Sequence, residues 1–178
     1  KLTSKIQSRN LFVKSAGNIY TNNSIYTDSA LSLEAEGNYY NYGGTLNGYD
    51  VGVKASEIKN FTPASAAVGT QLPMGSSGII SARNHLFLQA TQGNIENHGG
   101  ILRAGNYAQL LAARNVSNLC DTKTSQGSYD TLLQFDGGLI SGGTGKDTDG
   151  VGLYIKADGQ VISDASDFVS SGSNYIEG

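Results

Sequence analysis

The sequence predicts an all-β chain wound as a parallel β-helix of about six coils, and three observations predict it. The first is a period near 20. Leu31, Leu33 and Ala35 recur as Val51, Val53 and Ala55, and Leu11 and Val13 precede Leu31 and Leu33 by the same interval. The second is that the repeated units are short period-2 strings with one apolar face, the pattern of a strand rather than a helix. The third is the punctuation. Residues 37–48 (GNYYNYGGTLNG) and 93–104 (GNIENHGGILRA) align without a gap, 56 residues apart, and share Gly, Asn, Asn, Gly, Gly and Leu at the same offsets. A leucine-rich repeat has a similar length but needs a denser leucine pattern.

The elements follow in order along the chain. Leu11 and Val13 open the series. LSLEA at 31–35, VGVKA at 51–55, LFLQA at 86–90, the looser AQLLA at 108–112 and LYIKA at 153–157 continue it, each of these five ending in alanine. A second apolar position comes next: Ile19, Tyr39, Ile58, Ile95, Val116 and Val161. Then comes an asparagine or a stand-in for one: Asn22, Asn41, Asn60, Asn97, Asn118 and Asp164. A third short strand sometimes follows, as in GILRA from Gly100. Coiling sets inward side chains above those of the previous turn, so like stacks on like. Glycine and asparagine mark corners where the backbone needs positive φ or tight curvature. This singles out Asn41, Gly43, Gly44, Asn60, Asn97, Gly99, Gly100 and Asn118 as structural corners, with Gly44 and Gly100 expected to carry the unusual backbone angles. Stacked asparagines can also bond side chain to side chain as a ladder. Positions between them point to solvent and drift, so Tyr40 becomes Glu96 and Tyr42 becomes His98.

Two segments break the rhythm. Residues 62–78 hold both prolines and the single methionine and read as a loop extruded from a coil. Residues 119–150 are longer and carry their own alternation, YDTLLQF, which predicts an extra hairpin or a widened coil. Without them 129 residues remain, enough for about six coils and a rod about 30 Å long. The chain opens on Lys1 in mid-pattern and shows no signal peptide and no capping helix, so it reads as one segment excised from a longer rod.

Composition bounds the function. Charged residues are 15% and the net charge is -3, so no basic bias points to nucleic acid or an anionic membrane. No apolar run reaches the roughly 18 residues of a membrane span. Cys120 is the only cysteine, which precludes an internal disulfide.

The string NIENHGGILRAGNYAQLLAARNVSN resembles the haemagglutinin repeats of filamentous haemagglutinin-type exoproteins, and GVGLYIKADGQVISDASDFVSSGSNYI is similar. These proteins include bacterial adhesins and the large effectors of contact-dependent growth inhibition, exported by two-partner secretion. The resemblance covers most of the chain outside the two insertions. It implies a right-handed β-helical stalk at the outer surface of a Gram-negative cell. It also implies an outer-membrane transporter as export partner, and a role in presenting receptor-binding or toxin regions to a target cell.

Motifs with chemistry are weak. GGTGKDTD at 142–149 matches most of a calcium-binding nonapeptide, but Asp149 stands where a large apolar residue belongs and no second copy stacks on it. It is read as an acidic loop, and no metal or other cofactor is expected. Gly145-Lys146 lacks the remaining elements of a phosphate loop. His85 and His98 have no partner at ligand spacing and read as solvated structural positions. Nothing flanking Cys120 and His98 supports a nucleophile pair. Asn22, Asn60 and Asn115 begin glycosylation sequons that are read here as corners. Tyr39, Tyr40, Tyr42, Tyr49 and Tyr107 are either a sugar-stacking patch or ordinary outer strand positions, the latter being favoured.

Two function classes remain. One is a non-catalytic structural and adhesive stalk. The alternative is a polysaccharide-active β-helical enzyme or carbohydrate-binding module. Such an enzyme needs paired acids on one outer face, whereas Glu34, Glu36, Asp50 and Glu57 are isolated in the sequence. The stalk is therefore expected, with no catalytic residues. Any target-cell receptor is expected to touch the larger insertion through Tyr129, Leu132, Leu133 and Phe135, since repeat proteins place variable loops on the binding face.

Overall fold

The structure, a computed structural model, describes residues 1–61, 78–119 and 138–178 in full, and the backbone of Asp121–Gly127 and Asp130–Asp136. Every regular element among them is a strand. Three parallel sheets of seven, seven and six strands run the length of the rod. Sheet 1 holds Ile6–Ser8, Ser24–Thr27, Thr45–Gly48, Ile79–Ala82, Ile101–Ala104, Leu139–Ser141 and Asp167–Val169. Sheet 2 holds Leu11–Ser15, Ala30–Ala35, Asp50–Ala55, His85–Ala90, Tyr107–Ala112, Val151–Ala157 and Ser173–Glu177. Sheet 3 holds Ile19–Thr21, Tyr39–Tyr42, Ile58–Phe61, Ile95–His98, Val116–Leu119 and Val161–Asp164. The chain visits sheets 1, 2 and 3 in turn. It completes six coils and the first two strands of a seventh, which is the parallel β-helix the period predicts.

Register makes each inward position a column. Leu33 pairs with Val53, Val53 with Leu88, Leu88 with Leu110, and Leu110 with Ile155. All five side chains are buried. The second column runs Ile19, Tyr39, Ile58, Ile95, Val116 and Val161, as the sequence pattern placed them. Sheet 1 supplies a third column through Ile25, Leu46, Ile80, Leu102 and Ile140, each with no exposed surface. Burying one such side chain stabilises the rod by about 1.5–3 kcal/mol. The three columns meet in a single core along the axis.

One column on sheet 3 is polar. Asn41, Asn60, Asn97 and Asn118 are completely buried, each inside a strand rather than at a corner. Each side-chain N–H donates to the next coil's Oδ1 at 2.8 Å, from Asn41 to Asn60, Asn60 to Asn97, and Asn97 to Asn118. The same nitrogens donate to the glycine carbonyls of the adjoining corner: Gly44, Gly78, Gly100 and Gly138. An amide has two donors and an acceptor, so it can pass one bond along the axis and spend the other on the corner. Buried without those partners, each amide would cost several kcal/mol. The ladder ends at Thr21, whose hydroxyl donates to Asn41 Oδ1 at 2.9 Å, and the in-register residue below Asn118 is Ser163. The expected end rungs Asn22 and Asp164 are therefore one residue out. A hydroxyl replaces the amide where the ladder stops.

The corner after sheet 3 takes two residues wherever it is tight: Asn22-Asn23, Gly43-Gly44, Gly99-Gly100 and Ala165-Ser166. In three of these four pairs positive φ falls on the first member, at Gly43 (68°), Gly99 (59°) and Ala165 (46°), but not at Asn22. Gly44 and Gly100 do not have it, contrary to expectation. They are glycine for space: a Cβ at Gly100 would lie 2.6 Å from Asn97 Oδ1, and one at Gly44 would lie 2.6 Å from Asn41 Oδ1. The ladder amides occupy the volume a side chain would need.

Both insertions leave this same corner, one between Phe61 and Gly78 and one between Leu119 and Gly138. Residues 62–77 lie outside the described residues. Asp121–Gly127 and Asp130–Asp136 pair antiparallel, the hairpin that the YDTLLQF alternation predicts. The segment 119–150 is not all insertion, however. Leu119 ends a sheet 3 strand, and Leu139–Ser141 is a strand of sheet 1 with Ile140 in the core.

Candidate binding faces of the rod

With the interior closed, a site on the described coils lies on their outward faces and corners. The outward face of sheet 3 is an aromatic ladder. Tyr20 and Tyr40 stack with ring centroids 5.0 Å apart and planes 14° apart. Tyr42 stacks on Tyr40 at 5.9 Å and Phe61 on Tyr42 at 5.6 Å, while His98 tilts against Phe61 at 5.2 Å. Register brings Tyr20 over Tyr40, Tyr42 over Phe61 and Phe61 over His98, one strand spacing apart, while Tyr40 and Tyr42 are outward neighbours two residues apart on one strand and join the two stacks. The phenols of Tyr20 and Tyr40 accept hydrogen bonds from the amides of Asn18 and Asn38, the residues just before their strands.

Beyond the rings the same face is ionic. Lys59 Nζ lies 3.3 Å from Glu96 and 3.6 Å from Glu57, and His98 Nε2 lies 3.6 Å from Glu96 Oε2. The Glu96 carboxyl is pushed down to about 2, first by the His98 N–H and then by the Asn94 amide and the Lys59 ammonium, against the opposing effect of burial. Every charge here already has a partner.

The corner between sheets 1 and 2 gathers a second polar group. His85 Nε2 is 3.2 Å from Asn106 Nδ2, and His85 Nδ1 is 3.5 Å from Asp50 Oδ1. Asn84 Nδ2 donates to Asp50 at 3.0 Å, and Asn106 Nδ2 donates to Asp147 Oδ2 at 3.0 Å. Asp147 belongs to GGTGKDTD, which folds as a turn clamped on Asn106: Gly143, Gly145 and Lys146 all donate their backbone N–H groups to it. Among the described residues no group of three or more His, Cys, Asp or Glu side chains is placed to hold a metal ion.

The outward face of sheet 2 is more open. Phe12 and Phe87 are 71% and 41% exposed, and the two residues between them in the column are Ser32 and Gly52. Phe87 meets His85 at 5.8 Å and Tyr107 at 6.1 Å, tilted and edge to face.

The five tyrosines do not form one surface, which removes the less favoured sugar-stacking patch, and Tyr39 is not an outer strand position either. Tyr39 is buried, its phenol 2.8 Å from Thr21 Oγ1, and burial pushes that phenol upward. Tyr40 and Tyr42 belong to the sheet 3 ladder, and Tyr49 sits at a corner beneath the Arg83 guanidinium. Tyr107 lies on sheet 2. Leu132, Leu133 and Phe135 lie together on the second hairpin strand, while Tyr129 lies outside the described residues, as does Cys120. Sequence reasoning passed over Phe87 and Gly52; the only signal was their outward place in LFLQA and VGVKA. No helix among the described residues is long and apolar enough to cross a membrane. No family model, curated protein or solved structure matches the chain.

Proposed function

We propose that this chain is a non-catalytic structural and adhesive stalk segment of a large secreted exoprotein. The likeness of 93–118 to filamentous haemagglutinin-type repeats supports that reading. It adds export by two-partner secretion through an outer-membrane transporter, placement at the outer surface of a Gram-negative cell, and presentation of receptor-binding or toxin regions to a target cell. One observation carries the functional part: both insertions open from one corner, two coils apart, while the coils around them close that corner with two residues. A rod whose columns satisfy themselves from coil to coil tolerates long excursions at such a corner, because no core residue leaves its register. Contacts with a target-cell receptor are assigned to the hairpin.

The test replaces Asp121–Asp136 with a short Gly-Ser linker and compares the binding of both proteins, coated on beads, to bacterial and epithelial cells. Circular dichroism checks that the rod still folds. Loss of binding by a folded variant supports the reading, and unchanged binding removes the hairpin from it. Incubation with pectin, alginate or heparan oligosaccharides in a reducing-end assay separates the enzymatic alternative: turnover would overturn the stalk.

A further inference from the structure

Sheet 2 carries features on its outer face that a self-stacking rod does not need. A ladder stabilises only if each ring leans on the next, as on sheet 3. Phe87 instead has Gly52 as its neighbour in the preceding coil, where a Cβ would meet nothing within 4 Å. No side chain at that position leans on the ring. In the next coil its in-register neighbour is Gln109, while Tyr107 of that coil and His85 of its own strand meet it diagonally at steep angles, which fixes the ring without stacking a second ring flat upon it. Polar groups border it. At one end stands His85 with Asp50. At the other, Gln89 opens on a hollow of about 340 Å³ that is also lined by Leu111, Thr91, Lys156 and Asp158.

We propose that this band across sheet 2, from His85 past Phe87 to Thr91, binds a neutral oligosaccharide. A pyranose ring presents an apolar C–H face inside a rim of hydroxyls. It needs an open aromatic face with donors and acceptors on either side, the usual composition of a small-molecule site. The band supplies that sequence of surfaces along one strand, over about 20 Å at roughly 3.3 Å per residue. A chain of sugars fits such a strip better than a compact ligand does. Charge selects a neutral chain. Asp50 and Asp147 stand at the His85 end; at the other end Lys54 is in register with Gln89, and Asp158 lines the hollow with Lys156, which is already paired with Glu177 at 3.3 Å. The band therefore offers no free cationic cluster to hold a uronate or a sulfated sugar. The proposal is independent of the hairpin, which springs from the corner between sheets 3 and 1.

The test is an amide-resolved NMR titration of the whole chain with cellotetraose, maltotetraose and chitotetraose, and with tetragalacturonate and a heparin tetrasaccharide as anionic counterparts. At least one neutral tetrasaccharide should give saturating shifts concentrated on Gly52, His85–Thr91 and Tyr107–Ala113. Phe87→Ala should weaken it about tenfold or more, the scale of one lost aromatic contact. Gly52→Val keeps every ring but fills the step beside Phe87 and should weaken it comparably. Tyr42→Ala on sheet 3 should leave it within about twofold. The proposal falls if no neutral tetrasaccharide saturates or if an anionic one binds more tightly. It also falls if Phe87→Ala and Gly52→Val both bind as the parent does.

Discussion

Sheets 2 and 3 share one core, one register and a similar number of outward rings, yet they use those rings in opposite ways. On sheet 3, Tyr20, Tyr40, Tyr42, Phe61 and His98 lean on one another, and the neighbouring Glu57, Lys59 and Glu96 neutralise one another. Inside that sheet the asparagine ladder does the same with hydrogen bonds. On sheet 2 the inner side is aliphatic, and the outer column runs Phe12, Ser32, Gly52, Phe87, Gln109, with flat stacking reached only at Tyr154 and Tyr175, 4.9 Å apart. The difference teaches how a repeat chain divides labour. Where like sits on like, the side chain is tied up in holding adjacent coils together. Where large sits beside small, surface is left over for something else.

The comparison can be broken first at the core both sheets share. Leu88→Asp on the inner side of sheet 2 buries a carboxylate with no partner and should cost about 3–5 kcal/mol. A urea titration should show the midpoint collapsing. An unchanged midpoint would mean the coils are aligned wrongly. Next comes the ladder behind sheet 3. Asn60→Leu leaves the Asn97 Oδ1 without its donor and crowds the corner at Gly78, for a loss of about 2–4 kcal/mol. Asn60→Asp is the sharper probe. A carboxylate keeps the bond from Asn41 but donates nothing to Gly78 or Asn97, so it should also destabilise at neutral pH. If Asn60→Asp melts like the parent, the direction of the ladder is wrong.

Smaller effects separate the two kinds of corner glycine. Gly43→Ala places a Cβ at φ 68° and should cost about 1 kcal/mol through backbone strain, measured by thermal melting. Smaller still is the ionic part of sheet 3. Glu96 is held well below its ordinary value, so its contribution is full above about pH 4.5 and drains as pH falls toward 2. Melting temperature across that window should fall less steeply for Glu96→Gln than for the parent, by an amount worth about 1 kcal/mol, since the side chain retains solvent contact. Parallel slopes would show that the pairing with His98 and Lys59 adds nothing.

Much of the interior was legible in the sequence because the interior is where the repeat is enforced. The period-20 strings gave sheet 2, and the positions of Ile19, Tyr39, Ile58, Ile95, Val116 and Val161 gave the inner column of sheet 3. Sheet 1 was mostly hidden. Its strands are three or four residues long, each with little more than one deeply buried large aliphatic such as Ile25, Leu46 or Ile140, too little alternation to register as a strand. For the same reason the sequence pattern leaves Leu139–Ser141 inside the insertion. The glycine pairs were legible as corners, but which member carries positive φ was not, because the second glycine is demanded by the asparagine amide beside it. Tyr39 shows the limit of composition: a tyrosine-rich string suggests a surface patch, whereas its period assigns Tyr39 to the core. Outward positions are unconstrained by the repeat, so the open step at Gly52 and Phe87 emerges only when Asp50–Ala55 and His85–Ala90 are wound next to one another.

The most direct test of this division of labour is a paired thermal unfolding measurement. One variant carries Tyr40→Ser, Tyr42→Ser and Phe61→Ser on sheet 3, and the other carries Phe12→Ser, Phe87→Ser and Tyr107→Ser on sheet 2. Stacked rings are worth about 0.5–1.5 kcal/mol each beyond their buried area. The sheet 3 variant should therefore lose several degrees of Tm and the sheet 2 variant clearly less. Equal losses, or a larger loss on sheet 2, would contradict the account.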